Sequence, residues 1–360
     1  MLEAVLLVGG QGTRLRPLTV TTPKPMLPVA GVPCTEHQIA RAREAGVTRV
    51  VLGTSYKPEV FSSYFGDGSR FGVELVYVTE EIPMGTGGAI RHVAPYLDSG
   101  PDDPVLVFNG DILSGHDIAG QVKRWSADGA DVSLYLTRVD DPRAYGLVPT
   151  DDDGRVQQFL EKPSTPEECV TDQVNAGCYV FRRSLIDEIP TGRPVSVERE
   201  TFPGLLTSGA HVTGFVDDGY WLDLGTPLAF VRGSRDLVTG RAPSPALPGP
   251  VGDFLVRPGA EVEPDAILRG GTCVGAGATV GSGAVVDGSS LFDGAMVASG
   301  AQVRDSVIGS GAIIGAGARL DGVVVGDRAM IGPGNELVRG ARVWPGVALG
   351  ETAVRFSSDR

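Results

Sequence analysis

At 360 residues the chain has room for one large domain and a smaller one. Hydrophobic residues make up 42% and charged residues 21%, enough apolar surface for a buried core. Thirty-one basic residues against 44 acidic ones leave a net charge of −13, which excludes a nucleic-acid partner, because no basic face is available to neutralise a phosphate backbone.

Small anionic substrates remain open, since a few local cations outweigh the global charge inside a cleft. Cys34, Cys169, Cys178 and Cys273 are scattered, with no C-x-x-C pair, and read as reduced thiols rather than a disulfide framework or zinc site. The apolar run at residues 4–8 is too short for a signal-peptide core, and no stretch approaches the roughly 20 apolar residues of a membrane span. The expectation is a soluble, cytoplasmic protein with no membrane partner.

The first predicted element is a strand over residues 4–8 (AVLLV), which runs into LVGGQGTRLRPLT, with KPM following at Lys24. A glycine turn after a strand presents backbone N–H groups that can cradle phosphates. Arg14, Arg16 and Lys24 bring three cations close to it in sequence. It is not a dinucleotide fingerprint, because Leu15 stands at the sixth position counted from Gly10, and no Walker A pattern occurs. Its structural alternative is a plain turn with solvated arginines.

A helix is predicted over 35–45, strands over 49–52 and 73–78, and a helix over 86–96 that overlaps the loop Pro83-Met84-Gly85-Thr86-Gly87-Gly88. The strand over 105–108 ends in Asn109-Gly110-Asp111, followed by a helix over 117–127 and a strand over 132–136. This βαβα rhythm predicts an α/β, Rossmann-like, mostly parallel sheet, whose ligands sit beyond the carboxyl ends of its strands. Asp111 at such an end projects toward a ligand, or equally serves as a turn or cap residue. Asp223, in Trp221-Leu222-Asp223-Leu224-Gly225, is a candidate second acid, and a pair of such acids suits Mg2+. Lys162, in Glu161-Lys162-Pro163, is a point cation for a second phosphate, and Glu161 can accept hydrogen bonds from sugar hydroxyls. From the residues alone a solvated surface pair fits as well.

A stiff, donor-poor segment, RAPSPALPGPV, begins at Arg241 and reads as a linker. Beyond it an apolar residue recurs near every sixth position: Val262, Leu268, Val274, Val280 and Val286, then Ile308, Ile314 and Leu320, then Val325, Ile331, Leu337 and Val343, with two shifts of phase. Glycine and alanine fill the spaces between, which predicts a left-handed parallel β-helix of hexapeptide repeats rather than a glycine-rich disordered tail. The expected division is residues 1–240, a linker over 241–251, the β-helix over 252–346 and a tail over 347–360.

These segments resemble the signature of the sugar-1-phosphate nucleotidyltransferase family across nearly the whole chain. The resemblance implies that the turn (Leu7, Gly9, Gly10, Gly12, Thr13) holds the nucleotide phosphates, with Arg14 and Lys24 on the triphosphate. It implies that Gly85, Thr86 and Asn109 complete the nucleotide site, and that Asp111 and Asp223 bind Mg2+. Gly146, Glu161, Lys162 and Asn175, the last in Val174-Asn175-Ala176-Gly177, match its sugar-phosphate pocket. Met84 and Gly87 stand where family members often carry Leu and Ala.

The strings LVGGQGTRLRPLT…PKPMLPVAG, NGD, NAGCYVF and RGARVWPG are similar to the branch that joins GTP to mannose 1-phosphate. Enzymes that adenylylate, uridylylate or thymidylylate glucose 1-phosphate are the alternative. The implied chemistry is in-line attack on the α-phosphorus, needing alignment and charge neutralisation rather than a covalent intermediate. An acyltransferase fits poorly, because His37, His92, His116 and His211 all precede the linker. A non-catalytic regulatory subunit would be expected to have lost acids or cations, and all are present here. The repeats are expected to serve chiefly in a homo-oligomer.

Overall fold

The computed structural model describes residues 2–163, 165–247 and 252–355. It divides into two compact units, one of Met1–Gly10 with Gln38–Trp221 and one of Gln11–His37 with Leu222–Arg360. Residues 11–37 are tied by hydrogen bonds to the C-terminal part, as in the bond from the Ala30 N–H to Ser234 Oγ (3.1 Å), so the glycine turn from Gln11 onward groups with the repeats. Linker residues 248–251 and tail residues 356–360 lie outside the described residues.

Among its described residues the first unit is built on a nine-stranded sheet. Its strands are β1 (Glu3–Leu7), β2 (Arg49–Thr54), β3 (Glu74–Thr79), β4 (Pro104–Asn109), β5 (Val132–Arg138), β6 (Gly146–Leu147), β7 (Leu160–Glu161), β8 (Gln173–Arg182) and β9 (Val212–Val216). The order is β7-β6-β8-β4-β1-β2-β3, with β5 beside β8 and β9 beside β5. Strands β4, β1, β2 and β3 are parallel, as the βαβ rhythm requires. The long β8 runs antiparallel to both β4 and β5, an insertion the alternation of short apolar runs did not signal.

Val5, Val51 and Val107 are wholly buried beneath the helices. Phe202 packs on Tyr179 and Phe181, with ring centroids 5.1 and 6.0 Å away. Each large apolar side chain so buried contributes about 1.5–3 kcal/mol. Helices α1 (Cys34–Glu44), α2 (Gly85–Val93) and α3 (Ile118–Asp128) fall where the apolar pattern puts them. α3 begins at Asp117, whose carboxylate accepts the Gly120 N–H (2.8 Å), and ends at Gly129 in the left-handed region.

In the second unit α4 (Pro227–Val238) starts from the N-cap Thr226 with proline in its first turn. Among the described residues the repeats form three parallel sheets of six, six and five strands, each coil giving a strand to each sheet except the last, which gives two. This is a left-handed parallel β-helix. Register partners lie 18 or 17 residues apart, as in Val262↔Val280 and Val280↔Val297. The phase shifts seen in the sequence have a structural cause. The step from Val286 to Leu291 is five residues rather than six, as are those from Val303 to Ile308 and from Leu320 to Val325, and all stack at one corner.

That tight corner is filled by buried hydroxyls. Thr272 Oγ1 donates to the Val286 carbonyl (3.0 Å) and Ser289 Oγ to that of Asp287 (2.9 Å). Ser289 Oγ accepts the Ser306 N–H (3.1 Å), and Ser306 Oγ accepts the Val323 N–H (3.0 Å). A small polar side chain thus satisfies the backbone group that the missing residue would have served. Among the described residues no helix is long and apolar enough to cross a membrane.

Candidate active site

In the first unit the carboxyl ends of β1 and β4 meet. Leu7 and Asn109 are register partners, and the Gly110 N–H donates to the Leu7 carbonyl (2.9 Å). A Cβ on Gly110 would overlap that carbonyl oxygen, so the chain crosses the end of β1 only as glycine. Asp111 follows directly at this crossing. A Cβ on Gly9 would stand 2.8 Å from Ser55 Oγ, and the Gly9 carbonyl accepts that hydroxyl. Asn109 is braced through its carbonyl by Gln38 Nε2 (2.7 Å), while its side-chain Oδ1 is buried with no hydrogen-bond partner among the described residues.

The loop at residues 83–88 is anchored from beneath. Gly85 has φ +72°, and a Cβ there would stand 2.6 Å from the Val195 carbonyl oxygen. Thr86 Oγ1 donates to Glu198 (2.9 Å) and accepts the Val197 N–H (2.9 Å), so its hydroxyl fastens the loop to residues 196–198. The structure adds Glu80, which sequence reading passed over. It follows β3, is only 9% exposed, and has a raised carboxyl pKa because of burial, opposed by a hydrogen bond from the Met84 backbone. Its Oε1 is buried without a partner among the described residues. The signal was available: Glu80 is an acid at the end of a predicted strand, directly before the loop.

Gly146, Glu161 and Lys162 come together where β6 and β7 pair. A Cβ on Gly146 would lie 3.0 Å from Glu161 Oε2, so the glycine leaves that carboxylate its space. Lys162 takes φ +51°, a left-handed conformation that costs a non-glycine residue on the order of 1 kcal/mol. Its Nζ lies 3.3 Å from Glu161 Oε1, and the side chain is 60% exposed. Asn175 stands beside this pair, since Val174 is the partner of Leu147. Its Nδ2 donates to the Tyr179 hydroxyl (2.9 Å), and its Oδ1 accepts the Gly177 N–H (3.1 Å).

In the second unit the turn tightens at Gly12, φ +58°, where a Cβ would stand 2.7 Å from that of Lys24. Thr19 Oγ1 donates to the Gly12 carbonyl (2.9 Å). Thr13 and Arg14 follow in a single 3-10 turn, exposed to solvent. Lys24 is buried, with Nζ 3.7 Å from Asp223 Oδ1. A Cβ on Gly225 would meet Arg14 Nη2 at 2.8 Å and Asp223 Oδ1 at 2.9 Å. This unit therefore gathers Arg14, Lys24 and Asp223 around two glycines. Two cations beside one carboxylate leave an electropositive site suited to polyphosphate. Among the described residues no group of three or more His, Cys, Asp or Glu side chains is arranged to hold a metal by itself.

A strand-end glycine turn, fixed cations and carboxylates define a nucleotidyl-transferring α/β protein. Residues 3–240 match the family described as nucleotidyl transferase, and residues 250–356 match the GMPPB C-terminal domain. The chain is 56% identical, over 99% of its length and 98% of the relative's, to a mannose-1-phosphate guanylyltransferase of Mycobacterium tuberculosis. It is 35% identical to mannose-1-phosphate guanylyltransferase 1 of Arabidopsis thaliana, over 71% of each. Among solved structures it resembles HddC from Yersinia pseudotuberculosis, including a form complexed with GMP-PN. The TM-score is 0.56 and the identity 26%, over 66% of this chain and 100% of that one. The chain belongs to the nucleotidyl transferase family, and within it to the mannose-1-phosphate guanylyltransferases.

Proposed function

We propose that the chain transfers the guanylyl group of GTP to mannose 1-phosphate, releasing pyrophosphate and leaving GDP-mannose. The observation that carries this reading is the full complement of cations and acids in a chain 56% identical over its whole length to such an enzyme. A phosphate oxygen of the sugar 1-phosphate attacks the α-phosphorus, and the bond to the pyrophosphate oxygen breaks in line. Arg14 and Lys24 neutralise the departing pyrophosphate, and Lys162 orients the attacking phosphate. Gly146, Glu161 and Asn175 receive the sugar; Leu7, Gly9, Gly10, Gly12, Thr13, Gly85, Thr86 and Asn109 shape the nucleotide site.

Asp111 and Asp223 are hard oxygen donors with no thiol or imidazole among them, a set that fits Mg2+ better than a softer metal. When bound, that ion supplies positive charge to the phosphates. The buried, unpartnered Glu80 Oε1 supports the choice of base, because guanine offers an N1–H and an amine as donors where adenine offers an acceptor at N1. The enzyme acts in the cytoplasm as a homo-oligomer.

Pyrophosphate release measured with four nucleoside triphosphates against mannose and glucose 1-phosphates tests the reading. GTP with mannose 1-phosphate should give the highest kcat/KM, and GTP should exceed ATP at least tenfold. Glu80→Gln should erode that margin. A better rate with ATP, UTP or dTTP and glucose 1-phosphate would overturn the substrate assignment.

A further inference from the structure

We propose that the β-helix positions the phosphate-binding turn through Arg342 and Asp327, so that the repeats form part of the nucleotide machinery as well as an assembly module. The inference rests on reading residues 11–24 as the triphosphate site. Arg342 begins the strand Arg342–Val343 in a late coil, and its Nη1 donates to two carbonyls of the turn, Arg14 at 3.0 Å and Arg16 at 2.7 Å. The Leu15 N–H donates to the Gly12 carbonyl (3.0 Å), so the peptide unit after Arg14 is held at both ends. That unit sets the direction in which the Arg14 side chain leaves the backbone.

The other end of the turn is held by Asp327. Its Oδ1 accepts the Ser310 N–H (2.9 Å) and stitches two coils together, while Oδ2 accepts Thr21 Oγ1 (2.6 Å). Arg342 and Asp327 stand on neighbouring coils, since Val325 and Val343 are register partners. Together they bracket the segment from Arg14 to Thr21. The Asp223 side of the same unit is fastened to the repeats as well. Phe230 of α4 meets Phe292 with centroids 6.1 Å apart, and Arg235 Nη1 reaches Asp305 at 2.7 Å.

Arg342 is solvent-exposed and its neighbour Val343 fills the coil interior, so the arginine adds little to the packing of the β-helix. Among the described residues its two charge-assisted bonds both go to the turn. Arg342 is therefore a positioning residue, acting on the nucleotide through Arg14.

The test uses the full-length protein with Arg342→Ala and Arg342→Lys. Hydrogen exchange without nucleotide should show the Leu15 and Arg16 amides exchanging about tenfold faster in Arg342→Ala, with β-helix amides unchanged. With GTP, Mg2+ and mannose 1-phosphate, KM for GTP should rise about tenfold while KM for mannose 1-phosphate stays within about twofold. Lysine keeps a cationic donor, and Arg342→Lys should recover most of both effects. Unchanged exchange in the turn, or equal damage to both substrates, overturns the proposal. A wild-type protein that turns over no GTP strikes the functional reading instead, because the exchange experiment stands without it.

Discussion

Asp111 shows how one backbone atom can set the place of a charge. The chain reaches it through Gly110, bonded to the Leu7 carbonyl, so the carboxylate emerges where β1 hands over to the glycine turn. Asp111→Asn removes the charge at nearly constant volume and should lower kcat by about 10²–10³-fold with the fold intact. A folded variant that keeps more than about a tenth of the rate with Mg2+ rules out the metal role. Lys162 stands apart from this centre in its chemistry. Its side chain is exposed and pairs with Glu161, and it is proposed to meet the attacking substrate alone. Lys162→Ala should raise KM for mannose 1-phosphate about tenfold or more and change KM for GTP little. Steady-state kinetics with each substrate varied in turn check this, and a parallel loss for both would move Lys162 to the nucleotide side.

At the level of elements, the sheet shows why strand ends carry the chemistry. Parallel β1, β2 and β4 all finish on one edge, and Gly9 and Gly110 let the chain pass close to its neighbours there. Gly110→Ala would drive a methyl group against the Leu7 backbone, which no side-chain rotation relieves. We expect a loss of about 1–3 kcal/mol in urea unfolding together with a larger loss of turnover, because Asp111 moves with the displaced chain. Wild-type stability and rate in that variant would show that the crossing is not tight. In the β-helix the comparable device is the corner ladder of Thr272, Ser289 and Ser306, where a hydroxyl replaces a residue. The sequence marked that corner only as an interruption of the six-residue period; its polar filling emerges when successive coils are stacked.

For the molecule as a whole, two buried histidines set the response to acid. His37 donates from Nε2 to the Val29 carbonyl (3.0 Å), which leaves Nδ1 to accept the Ser244 hydroxyl (2.6 Å). Burial pulls its pKa from 6.5 down to about 4. His116, stacked 3.8 Å from Tyr135, is likewise lowered to about 4, chiefly by burial and against the hydrogen bond to Gln121. Between pH 6.5 and about 4 the unfolded chain binds protons that the native protein does not, so stability rises with pH across this window and falls on acidification. By pH 5 the loss is on the order of 2 kcal/mol per histidine. Urea midpoints at pH 7 and pH 5 measure it, and an unchanged midpoint would mean that these histidines are charged in the native state. Truncation after Pro248 bears on the repeats: it removes Arg342 and Asp327, so nucleotide use should fall along with any change in assembly seen by light scattering.

Much of this protein is written locally. The β-branched runs ending in glycine, the spacing of Arg14 and Lys24, the acids at Asp111 and Asp223, and the six-residue period are one-dimensional patterns, because strand pleat, turn sterics and coil repeat act over a few residues. Family and chemistry followed from them. Other features depend on residues far apart in the chain. The antiparallel seat of β8 follows from pairing with β4 and β5, and the burial of Glu80 is decided by the residues packed around it. The membership of residues 11–37 in the unit of the repeats also has no local signature. Arg342 meets the Arg14 and Arg16 carbonyls across more than 320 positions of sequence. A hydrogen bond of that separation leaves no periodicity or spacing to read, since it exists only once folding has brought the two segments to within 3 Å.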